Sequence, residues 1–140
     1  MLSPASRRLA GILLVVFPSV ILGGASLLSM LIRSEPGYVD NPIRQDLWRA
    51  GHAHAGVLLI LSLVILRYVD EAVLSDRVKA FVRVSAPTAA ILLPLAYFLS
   101  VLSPAATQPS GIVYLAFAGA VILGLGLTLI GVGLIRRPGS

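Results

Sequence analysis

Cysteine is absent from this chain, and histidine occurs only twice, at His52 and His54. Without cysteine there is no disulfide framework, no thiolate nucleophile and no cysteine metal site, so any metal or haem has to be held by His, Met, Tyr or carboxylate. Charge is also scarce: 12% of residues are charged against 57% hydrophobic, and the mean hydropathy is +0.94. That composition excludes an ordinary soluble domain. The net charge of +5 does not point to nucleic acid, because the basic residues flank apolar runs instead of clustering among aromatics.

What is present in quantity is long apolar sequence. Four stretches, about 9–32, 47–66, 84–102 and 111–135, are long enough to cross a bilayer, where roughly 20 helical residues are needed. The connections are short, so residues 1–140 read as one all-α, four-span integral membrane bundle in contact with the lipid bilayer. Arg7 and Arg8 ahead of an apolar core, with Gly23-Gly24-Ala25 behind it, have the outline of a signal peptide, but the run continues to Ile32, too long for a signal core. Of the 11 basic residues, Arg7, Arg8, Arg67, Arg77, Lys79, Arg83, Arg136 and Arg137 fall on one side, against Arg33, Arg44 and Arg49 on the other. By the positive-inside rule both termini are expected in the cytoplasm of a cell-membrane protein.

Local signals refine the spans. Asn41-Pro42 is a helix start, with asparagine as N-cap and proline at the first helical position, so the second helix begins above the membrane and places Trp48 and Arg49 at its outer interface. Asp70 to Arg83 reads as an amphipathic inner loop along the headgroups, with Pro87 near a helix start. In the fourth span Gly119, Gly126 and Gly133 are seven apart, as are Gly124 and Gly131. Such lines allow close helix contact, and the first is expected to build a homo-oligomer.

The polar constellation lies in the stretch LWRAGHAHAG, residues 47–56. Residues two apart on an α-helix differ by about 200° around the axis, so His52 and His54 point in nearly opposite directions and cannot chelate one ion from an intact helix. The His52 face also carries Trp48, Arg49 and Gly56, a combination suited to a flat anionic ligand: arginine for its carboxylate, glycine for close approach and a neutral imidazole for coordination. Metal binding by His52 or His54 stays open as an alternative to haem. Tyr97 and Tyr114 are polar candidates at the same depth. Beside this stands the reading in which each histidine only hydrogen-bonds a neighbouring helix, His54 above all, within a structural or transport subunit.

The string Arg49-Ala50-Gly51-His52-Ala53-His54-Ala55-Gly56 resembles the haem-ligand segment of the haem-copper oxidase subunit I superfamily and its small or divergent relatives. There an arginine a few residues before a histidine, on a second helix entered from the outer side, accompanies low-spin haem ligation. The resemblance implies a haem at His52 with Arg49 beside it, a His-x-His variant completed by His54, and a redox partner. The third and fourth spans contain no histidine, so the further axial and copper ligands of those enzymes are missing. Autonomous oxygen or nitric oxide reduction is therefore not expected.

Overall fold

The computed structural model describes residues 1–136; Arg137 and Ser140 lie outside the described residues. Among these the protein is all-helical, with α1 over Pro4–Ile32, α2 over Pro42–Tyr68, α3 over Asp76–Ser100, a 3-10 turn over Gly111–Tyr114 and α4 over Leu115–Ile135. Four helices are long and apolar enough to cross a membrane.

The helix starts follow from local chemistry. α1 begins well before the expected Leu9, because Pro4 takes the first turn and the Ser3 side chain caps the backbone N–H of Ser6. α2 starts as expected, with the Asn41 side chain accepting from Arg44 N–H. Of the expected inner loop Asp70 to Arg83, residues 70–75 form the α2–α3 connection, whereas Asp76 to Arg83 are the first two turns of α3, and Pro87 lies inside that helix. The reason is tertiary. Arg83 Nη2 bonds Asp70 Oδ1 at 2.7 Å and its Nε bonds Ser6 Oγ at 3.1 Å, so the amphipathic turns are held against α1 and the α2–α3 connection.

Packing runs along the chain order, α1 on α2, α2 on α3 and α3 on α4. α3 is the centre, and its alanines explain how. Ala86, Ala89 and Ala96 are fully buried, which lets α2 and α4 approach on either side. Buried Ser62, Ser85 and Ser100 return their hydroxyls to carbonyls of their own helix, so none of the three is an orphan donor. The line Gly119, Gly126 and Gly133 falls inside this chain. A Cβ on Gly126 would lie 2.6 Å from Ser85 Cβ, one on Gly133 2.6 Å from Leu74 Cγ, and one on Gly119 would overlap Leu93. The seam expected to join subunits is thus occupied by α3 and the α2–α3 connection, whereas nothing approaches Gly124 or Gly131.

α1 and α4 are the outer members of the row. Their large apolar side chains, such as Val15, Ile21, Leu22, Val121 and Leu125, are exposed. Surfaces of that extent are incompatible with water and suited to lipid. Around Asp70 the near end is tied by a network: Ser3 N–H donates to Oδ2 at 2.9 Å and Lys79 Nζ to the Asp70 carbonyl at 3.0 Å, beside the Arg83 pair. Burial raises the Asp70 pKa, but the hydrogen bonds from Ser3, Arg83 and Ser6 prevail and hold it well below the usual carboxylate range.

Candidate functional site

The opposite, far end of the bundle is capped by the 33–41 and 101–110 connections. Asn41 Nδ2 donates to the carbonyls of Pro104 and Ala106, both at 2.9 Å. Arg44 donates to Gly37 O at 2.8 Å and Leu102 O at 3.1 Å, and its guanidinium lies 4.0 Å over the Trp48 ring. Trp48 in turn donates from Nε1 to Phe98 O at 3.2 Å. Gly37 has φ +74°, and a Cβ there would meet Pro104 Cβ at 2.5 Å, so the fold-back requires glycine.

This cap drives Tyr38 downward. Its ring centroid is 5.9 Å from that of Trp48, the residue is fully buried, and its hydroxyl has no partner among the described residues. Burial pushes the phenol above its usual pKa and the charge of Arg49 pulls the other way, so near neutral pH Tyr38 is an un-ionised donor.

Below Tyr38 a cleft of about 370 Å³ opens between α1 and α2, lined by Gly24, Leu27, Leu28, Leu31, Tyr38, Arg49 and His52. His52 reaches it because α1 carries two glycines. A Cβ on Gly24 would lie 2.9 Å from both Cε1 and Nε2 of His52, and one on Gly23 3.7 Å from Nδ1. Any side chain at Gly24 would displace the ring. The Gly-Gly pair that resembles a cleavage signal in the sequence is the seat of an imidazole.

The expected site residues therefore separate. Arg49 and His52 share the cleft. Gly56 packs on α1, where a Cβ would lie 3.6 Å from Val20 Cγ1. Trp48 belongs to the cap. His54 turns to the other side of α2: its Nδ1 lies 2.7 Å from Ala50 O and its ring is 5.2 Å from that of Tyr97 on α3. The expected hydrogen bond to an adjacent helix is instead one to its own, because the i−4 carbonyl is the nearest acceptor; the adjacent helix supplies an aromatic face. Tyr114 is exposed and stacks on Phe117 at 6.0 Å. Tyr38 was not legible as a site residue; its only signal is the Pro36-Gly37 turn that precedes it.

The cleft brings together three side chains able to donate hydrogen bonds. Tyr38 Oη, the Arg49 guanidinium and an imidazole N–H of His52 can each donate, none has a hydrogen-bond partner among the described residues, and no carboxylate lines the cleft. Ligation of a haem at His52 would require its ring to turn away from α1. The Nε2 edge faces the α1 backbone at Gly24, and the lining supplies no second axial histidine or methionine. Among the described residues no three His, Asp or Glu side chains gather as a metal site. No family model, curated protein or solved structure matches the chain.

Proposed function

We propose that this chain is a small polytopic membrane protein that binds an amphiphile from the bilayer, seating an anionic, oxygen-bearing head against Arg49, His52 and Tyr38. The carrying observation is a cleft that brings the fixed charge of Arg49 together with His52 and Tyr38 and has no carboxylate in its lining, its remaining wall being Gly24, Leu27, Leu28 and Leu31. Leu28 and Leu31 are exposed, so the wall opens sideways toward lipid. The residues account for binding and orientation: a fixed cation, a neutral phenol and an imidazole converge on one head group, and the leucines take the apolar part.

A second reading, haem or metal shared between identical subunits in a redox-associated role, draws on the resemblance around His52 and on one feature of His54. With its proton on Nδ1 the ring donates to Ala50 O, which leaves an Nε2 lone pair, the arrangement common to metal-ligating histidines. The third reading, a structural or transport subunit, takes both rings as helix packing.

The test is thermal unfolding of the purified protein in neutral detergent with dodecyl phosphate or dodecyltrimethylammonium. At about 100 times its dissociation constant a ligand adds about 2.7 kcal/mol, so dodecyl phosphate raises the melting temperature, the cationic analogue does not, and Arg49→Gln removes the difference. Equal effects of both amphiphiles, or none, overturn the proposal. A Soret band in the purified protein establishes the second reading in its place.

A further inference from the structure

We infer that a second site, between α1 and α3, holds one acyl chain of a bilayer lipid as a resident ligand; the inference rests on the reading of this chain as a membrane protein and not on the cleft at Arg49. The two helices meet at the near end, where Arg83 Nε bonds Ser6 Oγ at 3.1 Å. Beyond that bond they part around a groove of about 320 Å³. Its α1 wall runs from Leu9 to Val20, α2 contributes Ala55 and Leu59, and α3 contributes Pro87 and Ile91.

The lining admits hydrocarbon only. Among the described residues no charged side chain lines it, and its one hydroxyl, on Ser19, is returned to the Val16 carbonyl at 2.7 Å. A polar ligand would be desolvated there without a partner. Leu13, Leu59 and Ala90 are buried and form its depth, whereas Ile12, Val16 and Ile91 are exposed, so the groove opens sideways.

Shape selects the occupant. Leu9 to Val20 is about 16 Å of helix at 1.5 Å per residue, so 320 Å³ spread along it is a section of about 20 Å². A helix with its side chains is about 10–12 Å across and needs at least roughly four times that section. A helix of a second copy would therefore rest on the rim and leave the depth empty, whereas one extended hydrocarbon chain fills it. An apolar cavity of about 150 Å³ takes a benzene, so this groove has room for roughly a dozen carbon atoms.

Placement agrees with shape. The hydrocarbon core of a bilayer is about 30 Å thick, so the chains of one leaflet reach about 15 Å, close to the length of the groove. Arg7 and Arg8, both exposed, directly precede Leu9. They set the headgroup level at that end and assign the chain to the leaflet on their side.

A sterol-type detergent, which has no linear chain to leave behind, permits the test. In a neutral alkyl detergent the detergent's own chains fill the groove, so dodecyl phosphate added there reports on the Arg49 cleft alone. The purified protein is titrated with dodecanol and with cyclododecanol, equal in carbon number and different in width, and read by melting temperature and native mass spectrometry. Dodecanol is expected to raise the melting temperature, to saturate at one molecule per chain and to bind at least tenfold more tightly than cyclododecanol. Ala55→Phe fills the groove and abolishes that binding, and Arg49→Gln leaves it unchanged. Ile91→Ala removes part of the rim and admits cyclododecanol, which keeps the test decisive where Ala55→Phe does not fold. Equal binding of the two alcohols by the wild type, or a preference for dodecanol that neither groove variant alters, overturns the inference. Loss of dodecanol binding in Arg49→Gln moves the chain to the cleft and also overturns it. A dimer that Ala55→Phe disrupts, without dodecanol uptake by the wild type, gives the groove to a second copy instead.

Discussion

Adding one methyl group at Gly126 separates two ideas of what the α4 glycines do. The new Cβ would lie 2.6 Å from Ser85 Cβ, whereas carbon atoms in contact sit about 3.5–4.0 Å apart. α3 and α4 must therefore part by about 1 Å, and a gap of that size forfeits about a quarter to a half of the dispersion energy of the contacts it opens. Overpacking of this kind costs about 1–3 kcal/mol. Replacing glycine by alanine inside a helix returns about 1 kcal/mol, so Gly126→Ala is expected to lose up to about 2 kcal/mol net. Gly124, with nothing near its Cβ position, supplies the control: Gly124→Ala keeps the helix gain and loses no packing. The two variants should differ by about 2 kcal/mol in reversible unfolding in mixed detergent micelles. Ser85→Gly on the Gly126→Ala background recovers part of the loss by removing the opposing Cβ, giving a coupling of about 1 kcal/mol or more in a double-mutant cycle. Equal tolerance at 124 and 126, or zero coupling between 126 and 85, refutes the reasoning.

Two further outcomes are expected. Asp70 has a folded-state pKa below its unfolded one, so its contribution is complete above about pH 4 and is lost as pH falls through the depressed folded value. Asp70→Asn should cost about 2 kcal/mol at neutral pH and flatten the acid limb of a stability-against-pH curve; an unchanged acid limb removes the network's assigned role. A cysteine replacing the exposed Ser75 should resist an impermeant thiol reagent in intact cells while one replacing the exposed Thr107 reacts, and the reverse labelling inverts the topology.

How much of this was legible depends on the range of the interaction. The four spans were readable because hydropathy and length are properties of contiguous sequence, and the Asn41-Pro42 start because capping is local. The 200° between His52 and His54 was enough to send them to different neighbours. The stretch ending at Arg83 misled because its partners, Asp70 and Ser6, are 13 and 77 residues away. A charged amphipathic turn looks the same in sequence whether it lies on headgroups or closes a half-buried ion pair. The glycine line had the same ambiguity: spacing by seven reports a small face, and says nothing of whether the helix on that face belongs to the same chain. Tyr38 is the clearest case. Its burial is produced by Arg44, Asn41 and Gly37 pinning one connection to another, and no periodicity in the sequence encodes that.

The His-x-His spacing acquires a physical meaning from the position of α2 in the row. α2 lies between α1 and α3, so two histidines about 200° apart give one ring to each side. His54 is fixed by Ala50 O and Tyr97, within the tightly packed half of the protein. His52 sits against Gly23 and Gly24 of α1, and α1 is the least embedded span, with Ser6, Leu13 and Leu27 its buried residues. Its near end is held by Ser3 and Ser6 against Asp70 and Arg83 and its far end runs into the pinned 33–41 connection, while between them it meets His52 and packs Val20 on Gly56. A cleft wall held at both ends, with Leu28 and Leu31 exposed, is open from the side. On the proposed reading the ligand-facing chemistry lies with His52, Arg49 and Tyr38, while His54 is on the side of α2 where the structure is closed.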